Sequence, residues 1–362
     1  MTNYLLAGGG TAGHVNPLLA VADRLRRDDR RAEFTILGTA EGLEARLVPE
    51  RGFELVTIDK VPMPRKPNRQ LIQFPRRFLR VVGEIRQLIR ERDIDVVVGF
   101  GGFVSAPAYI AAWREKRPIV VHEANAVPGF ANRLGSRLTK HVGVAFAGTR
   151  LRNARFVGMP LSKAIEELDP LAARPEALAH FGFDEHSRVL LVTGGSLGAR
   201  TINDSVSGAV ASILGAGWAV LHITGSRSEL GESALPGYRV IRFCDRMDLA
   251  FSAAQFAVAR AGSATVAELT ALGIPAAYVP LPIGNGEQRL NARGVEKAGG
   301  AVIVDDEHFT PSWIEHTLVP LLLDHASTAE MAAATASIGV RDGTARTVEL
   351  VLAAAAEAGA AT

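Results

Sequence analysis

The sequence has little cysteine, no long apolar run without glycine, and no basic segment before its first strand. The only cysteine is Cys244, so an internal disulfide framework and a cysteine-rich metal site are both excluded. The uncharged windows 96–113 and 205–226 contain internal glycines, which favours buried strand, loop and helix pieces over membrane spans. Because residues 1–4 enter a strand with no preceding basic segment, we expect no signal peptide.

Length and charge divide the chain into two parts. A chain of 362 residues exceeds what one ordinary core accommodates, so two domains are expected. Residues 1–157 carry 26 Lys and Arg against 15 Asp and Glu, whereas the remainder carries 14 against 23. This asymmetry predicts that only the first half meets a polyanionic surface, either an anionic membrane or nucleic acid.

The first strand runs into a glycine loop, Gly8-Gly9-Gly10-Thr11-Ala12-Gly13-His14, and a helix is predicted from Pro17 to Arg27. The loop contains G-x-G-x-x-G, which alone is weak evidence for a dinucleotide site. Such a site also needs an acidic residue at the end of the second strand, whereas Glu41 and Glu44 come later. The glycines therefore predict close approach of some ligand, with His14 beside it as a candidate base or a helix cap.

Two further segments end strands at the same predicted sheet edge. Gly101-Gly102-Phe103-Val104-Ser105 is a second glycine loop, and His122-Glu123-Ala124-Asn125 brings Glu123 and Asn125 beside both loops. By contrast, Asp93-Ile94-Asp95 spells D-x-D, a known metal-binding signature, but precedes its strand, at the opposite edge. We interpret it as a turn, and the sequence predicts no metal site.

Residues 61–92 combine arginines with apolar side chains. Helical spacing runs from Phe78 to Ile89, whereas the prolines up to Pro75 predict irregular structure before it. Basic and apolar groups on one surface are typical of a membrane interface, and the alternative is a solvated helix face with ordinary arginines. Nucleic acid is disfavoured because stacking aromatics and a known binding motif are missing. The candidate membrane residues are Ile72, Phe74, Arg76, Arg77, Phe78 and Arg80, in a stretch that begins with Arg65 and Lys66.

The segment from Arg260 to Ala292 predicts a nucleotide-sugar pocket. One strand ends in a Gly-Ser turn that opens a helix, and the next strand ends in a polar loop. The helix start suits a phosphate, and Asn285, Glu287 and Gln288 suit sugar hydroxyls. A strand, a Gly-Gly turn and a helix also recur from Arg188 onward, which predicts a second doubly wound α/β domain.

In order, these motifs resemble the MurG family, the peptidoglycan N-acetylglucosaminyltransferases of bacteria. The resemblance covers the whole chain and includes Gly194-Gly195-Ser196-Leu197-Gly198-Ala199-Arg200 and Gln288-Arg289-Leu290-Asn291-Ala292. It implies an α/β GT-B fold with two doubly wound Rossmann-like domains facing a central cleft. The implied divisions are 1–158, binding the acceptor lipid I and the membrane; 159–340, binding the donor UDP-GlcNAc; and 341–362, a helix returning to the first domain.

The resemblance also implies an inverting hexosyltransferase of cell-wall synthesis. GlcNAc passes from UDP-GlcNAc to the C4 hydroxyl of MurNAc in lipid I, forming the β-1,4 link of lipid II, with no cofactor and no metal required. The implied partners are UDP-GlcNAc, lipid I and the anionic inner membrane surface, not nucleic acid, and the implied location is peripheral, on the cytoplasmic side of the cell membrane. Transfer to another lipid such as a diacylglycerol, a Rossmann-type oxidoreductase and a non-catalytic peripheral membrane protein are the alternatives.

Family roles are carried over residue by residue. The donor would contact Ser196, Asn203, Cys244, Ala264, Thr265, Glu268, Gln288 and Lys163. The acceptor would contact Thr11, Gly13, His14, Gly102, Glu123 and Asn125, with His14 as the base. This chain departs from the family at Ser162, where many members have an arginine, and at Leu197 and Glu287, where glutamine is common. Lys163 is therefore a candidate substitute for the missing arginine.

Overall fold

The computed structural model describes residues 2–61, 69–231, 233, 235–283 and 286–359. Arg65, Lys66 and Asn285, which the sequence analysis singles out, lie outside the described residues. The chain divides into two compact units. The first unit comprises Met1–Ser162 and Arg341–Thr362, and the second comprises Lys163–Val340.

The first unit is a seven-stranded parallel sheet with strand order β3-β2-β1-β4-β5-β6-β7. Its strands are β1 (Asn3–Ala7), β2 (Glu33–Gly38), β3 (Glu54–Thr57), β4 (Val96–Gly99), β5 (Ile119–Glu123), β6 (His141–Val144) and β7 (Ala154–Phe156). Its helices are α1 (Ala12–Asp28), α2 (Glu44–Glu50), α3 (Arg69–Glu91), α4 (Ser105–Arg114), α5 (Phe130–Gly135) and, from the end of the chain, α15 (Gly343–Gly359). Near-continuous apolar strands such as Val96–Gly99 are buried on both faces, as parallel sheets require.

The second unit repeats this architecture with six parallel strands in the order β10-β9-β8-β11-β12-β13. Its strands are β8 (Arg188–Thr193), β9 (Trp218–Ile223), β10 (Tyr238–Ile241), β11 (Ala254–Ala259), β12 (Ala276–Tyr278) and β13 (Ala301–Ile303). Its helices are α6 (Lys163–Glu166), α7 (Pro170–Phe181), α8 (Arg200–Gly215), α9 (Met247–Ala253), α10 (Ser263–Ala271), α11 (Glu287–Ala298), α12 (Pro311–Trp313), α13 (Val319–Leu323) and α14 (His325–Ser337). A 3₁₀ turn (Asp306–His308) precedes α12, and a π turn (Ile314–Leu318) joins α12 to α13.

Strand order reverses between β1 and β4 in the first unit and between β8 and β11 in the second. In open parallel sheets, ligands bind at the carboxyl edge where the order reverses. The loops after these strands therefore form one candidate half-site in each unit.

Two helices begin earlier in the chain than the sequence predicted, and each contains a proline. Helix α1 begins at Ala12, not at Pro17, because the amides of His14 and Val15 already bond to the carbonyl of Thr11 at 3.0 and 3.1 Å. Helix α3 runs through Pro75 from Arg69, so the expected irregular start is wrong for this part. A proline removes one backbone donor, and the hydrogen bonds of the neighbouring turns outweigh that loss.

Candidate active site

His14 lies in the first turn of α1, directly after the first glycine loop. Its Nδ1 is 3.2 Å from the carbonyl oxygen of Gly9 and 3.2 Å from Oγ1 of Thr11. Thr11 is exposed, whereas Gly13 and His14 are partly buried. The structure therefore places Thr11, Gly13 and His14 together at the carboxyl edge of β1.

The second glycine loop packs directly on the first. A Cβ at Gly102, whose φ is +81°, would lie 2.6 Å from the carbonyl oxygen of Gly9, and one at Gly101 would lie 3.1 Å from the His14 ring. Side chains at either position would separate the loops or displace the imidazole. The two glycines thus set how closely the two loops approach each other beside His14.

The fully buried carboxylate of Glu44 occupies the hollow of the first glycine loop. It accepts hydrogen bonds from the amide of Gly10 at 2.8 Å and from the amide and hydroxyl of Thr39 at 2.9 and 2.8 Å. Although burial alone would raise the pKa of Glu44, the hydrogen bonds from Gly10, its own backbone and Thr39 together lower it. This carboxylate takes up the Gly10 amide, a backbone donor of the kind that a dinucleotide pyrophosphate needs.

The side chain of Glu44 thus corrects the expectation that no acidic group stands at the end of β2. Glu44 begins α2, as its sequence position suggested, but its carboxylate reaches back to Thr39 beside Gly38. A Cβ at Gly9, Gly38 or Gly42 would lie 2.0–2.5 Å from this side chain. Three glycines therefore make room for the carboxylate of Glu44. The sequence contains no sign of this role of Glu44, because the three glycines are recognised as its neighbours only in the folded structure.

Glu123, at the end of β5, is 2% exposed and holds the following loop. Its Oε1 accepts from the amide of Asn125 at 2.9 Å, and its Oε2 accepts from the amide of Gly129 and from Nδ2 of Asn132, both at 2.9 Å. Buried Asn132 also accepts from the hydroxyl of Tyr109 at 2.8 Å, which joins α4 and α5 to this edge. The carboxylate of Glu123 is thus used to shape the loop, and partly buried Asn125 presents that loop at the edge.

In the second unit, the exposed Ser196 lies in the turn between β8 and α8. Its carbonyl oxygen accepts from the amide and the hydroxyl of Ser226, both at 3.0 Å. A Cβ at Gly198 would lie 2.3 Å from the carbonyl oxygen of Thr224. The turns after β8 and β9 are therefore in contact, with Ser196 at their surface.

Asn203 is buried behind this turn and supports it. Its Nδ2 donates to the carbonyl oxygen of Thr224 at 2.9 Å and to Oγ of Ser228 at 3.2 Å, and its Oδ1 accepts from Nε2 of His222 at 3.1 Å. Burial lowers the pKa of His222 to about 4, so this imidazole is neutral and its Nδ1 accepts from the hydroxyl of Tyr238 at 2.9 Å. The network ties α8 to β9 and β10. Cys244 is buried just beyond β10, and this burial raises the pKa of its thiol.

Helix α10 presents its N-terminus at the same edge. Gly262 at the N-cap has no side chain to cap the first turn, so the amides of Ala264 and Thr265 stand at an end that favours anions. Two turns along, dense packing around the carboxyl raises the pKa of Glu268 to about 7, although the residue keeps partial exposure. Glu268 can therefore change charge near neutral pH.

Gln288 and Arg260 organise the loop after β12. Oε1 of Gln288 accepts from the amide of Leu281 at 3.0 Å, which ties the start of α11 to this loop. Arg260 begins the segment that the sequence identified, but the sequence assigned it no role. Its guanidinium donates to the carbonyl oxygens of Val279 and Pro280 at 3.0 and 3.3 Å and pairs with Asp306. Asp306 in turn accepts from the hydroxyl of Thr201 on α8 at 2.9 Å, so one ion pair links three loops.

Lys163 is not brought into this group by any described contact. It begins α6, lies 3.6 Å from Glu167 and is exposed. The surface pocket that it lines contains Ala164, Glu167, Leu168, Asp169, Ala172 and Ala173, none of which is a predicted donor residue.

The basic and apolar face of the first unit lies on α3. Ile72 is 81% exposed, Arg76 is also exposed, and Phe74 stacks on Phe78 with ring centroids 5.6 Å apart. Arg77 donates to the carbonyl oxygen of Lys60, and Arg80 pairs with Asp59 and Glu84. In the part of the chain that the structure describes, no helix combines the length and apolar character needed to cross a membrane.

Comparison with known proteins decides the family. Residues 4–144 match the glycosyltransferase family 28 N-terminal domain, and residues 189–347 match the glycosyltransferase family 28 C-terminal domain. The chain belongs to glycosyltransferase family 28. The enzyme class and the fold of two Rossmann-like parallel-sheet domains of GT-B type, both implied by the resemblance to the MurG family, are thereby confirmed.

Individual relatives align with almost the whole length of this chain. A Leifsonia xyli protein is 62% identical over 97% of this chain and 98% of its own length, and a Streptomyces coelicolor protein is 51% identical over 94% of each. Both are named UDP-N-acetylglucosamine–N-acetylmuramyl-(pentapeptide) pyrophosphoryl-undecaprenol N-acetylglucosamine transferase. The crystal structure of Acinetobacter baumannii MurG is similar with a TM-score of 0.80, at 28% identity, over 98% of this chain and 100% of that one.

Proposed function

We propose that this family 28 enzyme transfers GlcNAc from UDP-GlcNAc to the C4 hydroxyl of MurNAc in lipid I, giving the β-1,4 link of lipid II in peptidoglycan synthesis. The observation that carries this proposal is the 62% identity to a relative of that name over nearly the full length of both chains. In the reaction, the C4 oxygen bonds to C1 of GlcNAc, the bond from C1 to the diphosphate breaks, and UDP leaves with the electron pair.

The donor half-site lies on the second unit. The amides of Ala264 and Thr265 at the start of α10, together with the turn at Ser196, would face the diphosphate. Glu268 would accept from ribose hydroxyls and Gln288 would face the GlcNAc hydroxyls. The backbone at Cys244 would meet uracil, and Asn203 would act through the turn that it supports. We propose that the helix dipole and these amides stabilise the leaving diphosphate without a required cofactor. Because no described contact brings Lys163 to these residues, we assign it no part in this step.

The acceptor half-site lies on the first unit. Thr11, Gly13, Gly102 and Asn125 would contact the muramoyl sugar, and Glu123 would shape the loop that carries Asn125. If its Nδ1 donates to the Gly9 carbonyl, a neutral His14 carries a lone pair on Nε2 that can accept the C4 hydroxyl proton. The base and the acceptor contacts thus belong to the same loop system.

The exposed face of α3 would rest on an anionic membrane surface, where the enzyme meets its polyprenyl-linked acceptor. Ile72 offers apolar surface and Arg76 positive charge, a combination that favours the interface of anionic lipids. We therefore propose a peripheral location on the inner, cytoplasmic side of the cell membrane.

An oxidoreductase of Rossmann type is the weaker reading of the first glycine loop. The carboxylate of Glu44 accepts from the Gly10 amide, which a dinucleotide pyrophosphate would need. Transfer to a different lipid is distinguished by offering the enzyme a diacylglycerol in place of a lipid I analogue.

Two substitutions separate the half-sites. We expect His14→Ala to lower transfer roughly 100-fold or more, the usual contribution of a general base, while UDP affinity measured by calorimetry stays unchanged. Glu268→Ala should weaken UDP binding roughly tenfold or more because a charge-assisted hydrogen bond is lost. His186→Ala, which changes an exposed histidine of the second unit, is the control. Full transfer by His14→Ala would remove the base assignment.

A further inference from the structure

The peptide group between Gly9 and Gly10 contacts an ionisable side chain on each side, Glu44 at its N–H and His14 at its carbonyl oxygen. Its N–H, from Gly10, donates to Oε2 of Glu44 at 2.8 Å. Its carbonyl oxygen, from Gly9, lies 3.2 Å from Nδ1 of His14. The carboxylate, the peptide and the imidazole therefore form one continuous chain of hydrogen bonds.

The contact with Gly9 favours one of the two neutral tautomers of His14. A carbonyl oxygen only accepts, so the contact with Gly9 is a hydrogen bond only if Nδ1 bears the hydrogen. The opposite tautomer would place lone pairs of Nδ1 and of the Gly9 carbonyl oxygen 3.2 Å apart, although the Thr11 hydroxyl could then donate to Nδ1. The Nδ1–H tautomer avoids that repulsion and places the lone pair on Nε2.

Glu44 supplies a buried negative charge at one end of this hydrogen-bonded path to His14. The described part of the structure gives its carboxylate hydrogen-bond donors at Gly10 and Thr39 but no ion pair, and these donors lower its pKa. An anion that accepts from an amide N–H polarises the amide and makes its carbonyl oxygen a stronger acceptor. The Gly9 carbonyl should therefore hold the Nδ1 proton more tightly once Nε2 is also protonated.

We propose that Glu44 is a positioning residue for His14, acting through the Gly9–Gly10 peptide to fix the Nδ1–H tautomer and to stabilise the imidazolium. In turnover, the proton leaves the acceptor hydroxyl for Nε2, and the new positive charge faces a peptide that Glu44 has polarised. The contribution to turnover rests on the proposed base role of His14, whereas the tautomer and the titration do not.

Other ionisable groups at this edge are arranged differently. Glu123 bonds to Asn125, Gly129 and Asn132, with no described bond to the Gly9–Gly10 peptide. His122 is buried, which lowers its pKa to about 4, and burial keeps Tyr109 protonated by raising its pKa. Glu44 is thus the charge that is coupled to His14 through a described chain of hydrogen bonds.

Nitrogen NMR of the ¹⁵N-histidine-labelled full chain tests the proposal, with the His14 signals assigned by their loss in His14→Gln. In the unsubstituted protein we expect the Nδ1–H tautomer; a dominant Nε2–H tautomer overturns the proposal even if no variant folds. In Glu44→Gln, which removes the charge and keeps the side-chain size, we expect the His14 pKa to fall by about one unit. An identical titration in both proteins also overturns it.

Two controls separate charge from packing. Thr39→Val removes one hydrogen bond to Glu44 but keeps the carboxylate, so it should leave the His14 titration in place. Glu123→Gln removes a second buried carboxylate of the same edge and should shift the His14 pKa less than Glu44→Gln does. A shift as large in Thr39→Val as in Glu44→Gln would mean that loop distortion, not charge, is responsible.

Kinetics then test the link to catalysis. Glu44→Gln should lower kcat roughly tenfold with an unchanged KM for UDP-GlcNAc, and should move the acidic limb of the pH profile to lower pH. Added to His14→Ala, it should cost almost nothing more. If His14→Ala retains full transfer, the base role fails while the tautomer and titration results still stand.

Discussion

Glu268 couples its ionisation to the stability of the second unit. Its folded-state pKa of about 7 lies above the ordinary value of 4.5, so the folded chain binds this proton more tightly than the unfolded chain does. Stability is therefore lost as pH rises from about 4.5 through about 7, and the whole penalty is present above that range.

Glu268→Gln should remove this penalty. We expect the variant to gain on the order of 2 kcal/mol in unfolding free energy relative to the unsubstituted protein at pH 8, and little at pH 5. Urea unfolding at both pH values measures the difference. Glu296→Gln, an exposed carboxylate change on α11, is the control. An equal difference at pH 5 and pH 8 would show that the ionisation of Glu268 is not linked to folding.

At the scale of elements, the exposed face of α3 should determine membrane affinity. We expect Ile72→Ser and Arg76→Glu each to weaken binding to vesicles of anionic phospholipid. Ile72→Ser removes exposed apolar area that would insert into the membrane interface, and Arg76→Glu reverses a charge. The matched control is Leu171→Ser, which changes a leucine of the second unit that is 82% exposed. Vesicle sedimentation in which all three variants bind alike would contradict the assignment of this face.

Helix α15 should stabilise the first unit through one of its faces. Leu350 is 5% exposed and contacts β6 beside Gly143, whereas Leu352 on the same helix is 46% exposed. Leu350→Ala should cost about 2–4 kcal/mol of unfolding free energy, and Leu352→Ala should cost less than about 0.5 kcal/mol. Urea unfolding distinguishes the two, and equal costs would mean that α15 is not docked as described.

The elements that shape the half-sites were largely predictable, whereas their internal contacts were not. Apolar runs followed by glycine turns predict parallel strands with a polar carboxyl edge, which brings His14, Gly102 and Glu123 to one sheet. The reach of Glu44 back to Gly10 depends on a close approach between loops that are distant in sequence, and no local pattern encodes it. The pairing of Arg260 with Asp306 has the same origin.

At the scale of the whole molecule, the same topology occurs twice with different charge. The basic first unit carries the candidate acceptor loops and the exposed face of α3, and the second unit, which lies in the acidic part of the chain, carries the candidate donor loops. We expect the first unit to meet an anionic lipid surface and the second to bind an anionic ligand through helix N-termini and amides. Composition predicts only that the first half meets a polyanionic surface, and the donor and acceptor roles of the two units stay predictions that follow from the family resemblance.

The central claim is the identity of the acceptor. The most direct measurement offers radiolabelled UDP-GlcNAc to the full chain with a lipid I analogue, and with a diacylglycerol in a parallel reaction. We predict label in a product that carries GlcNAc β-1,4-linked to the muramoyl sugar, and none in diacylglycerol. Label found only in diacylglycerol, or released only as free GlcNAc, would contradict the account.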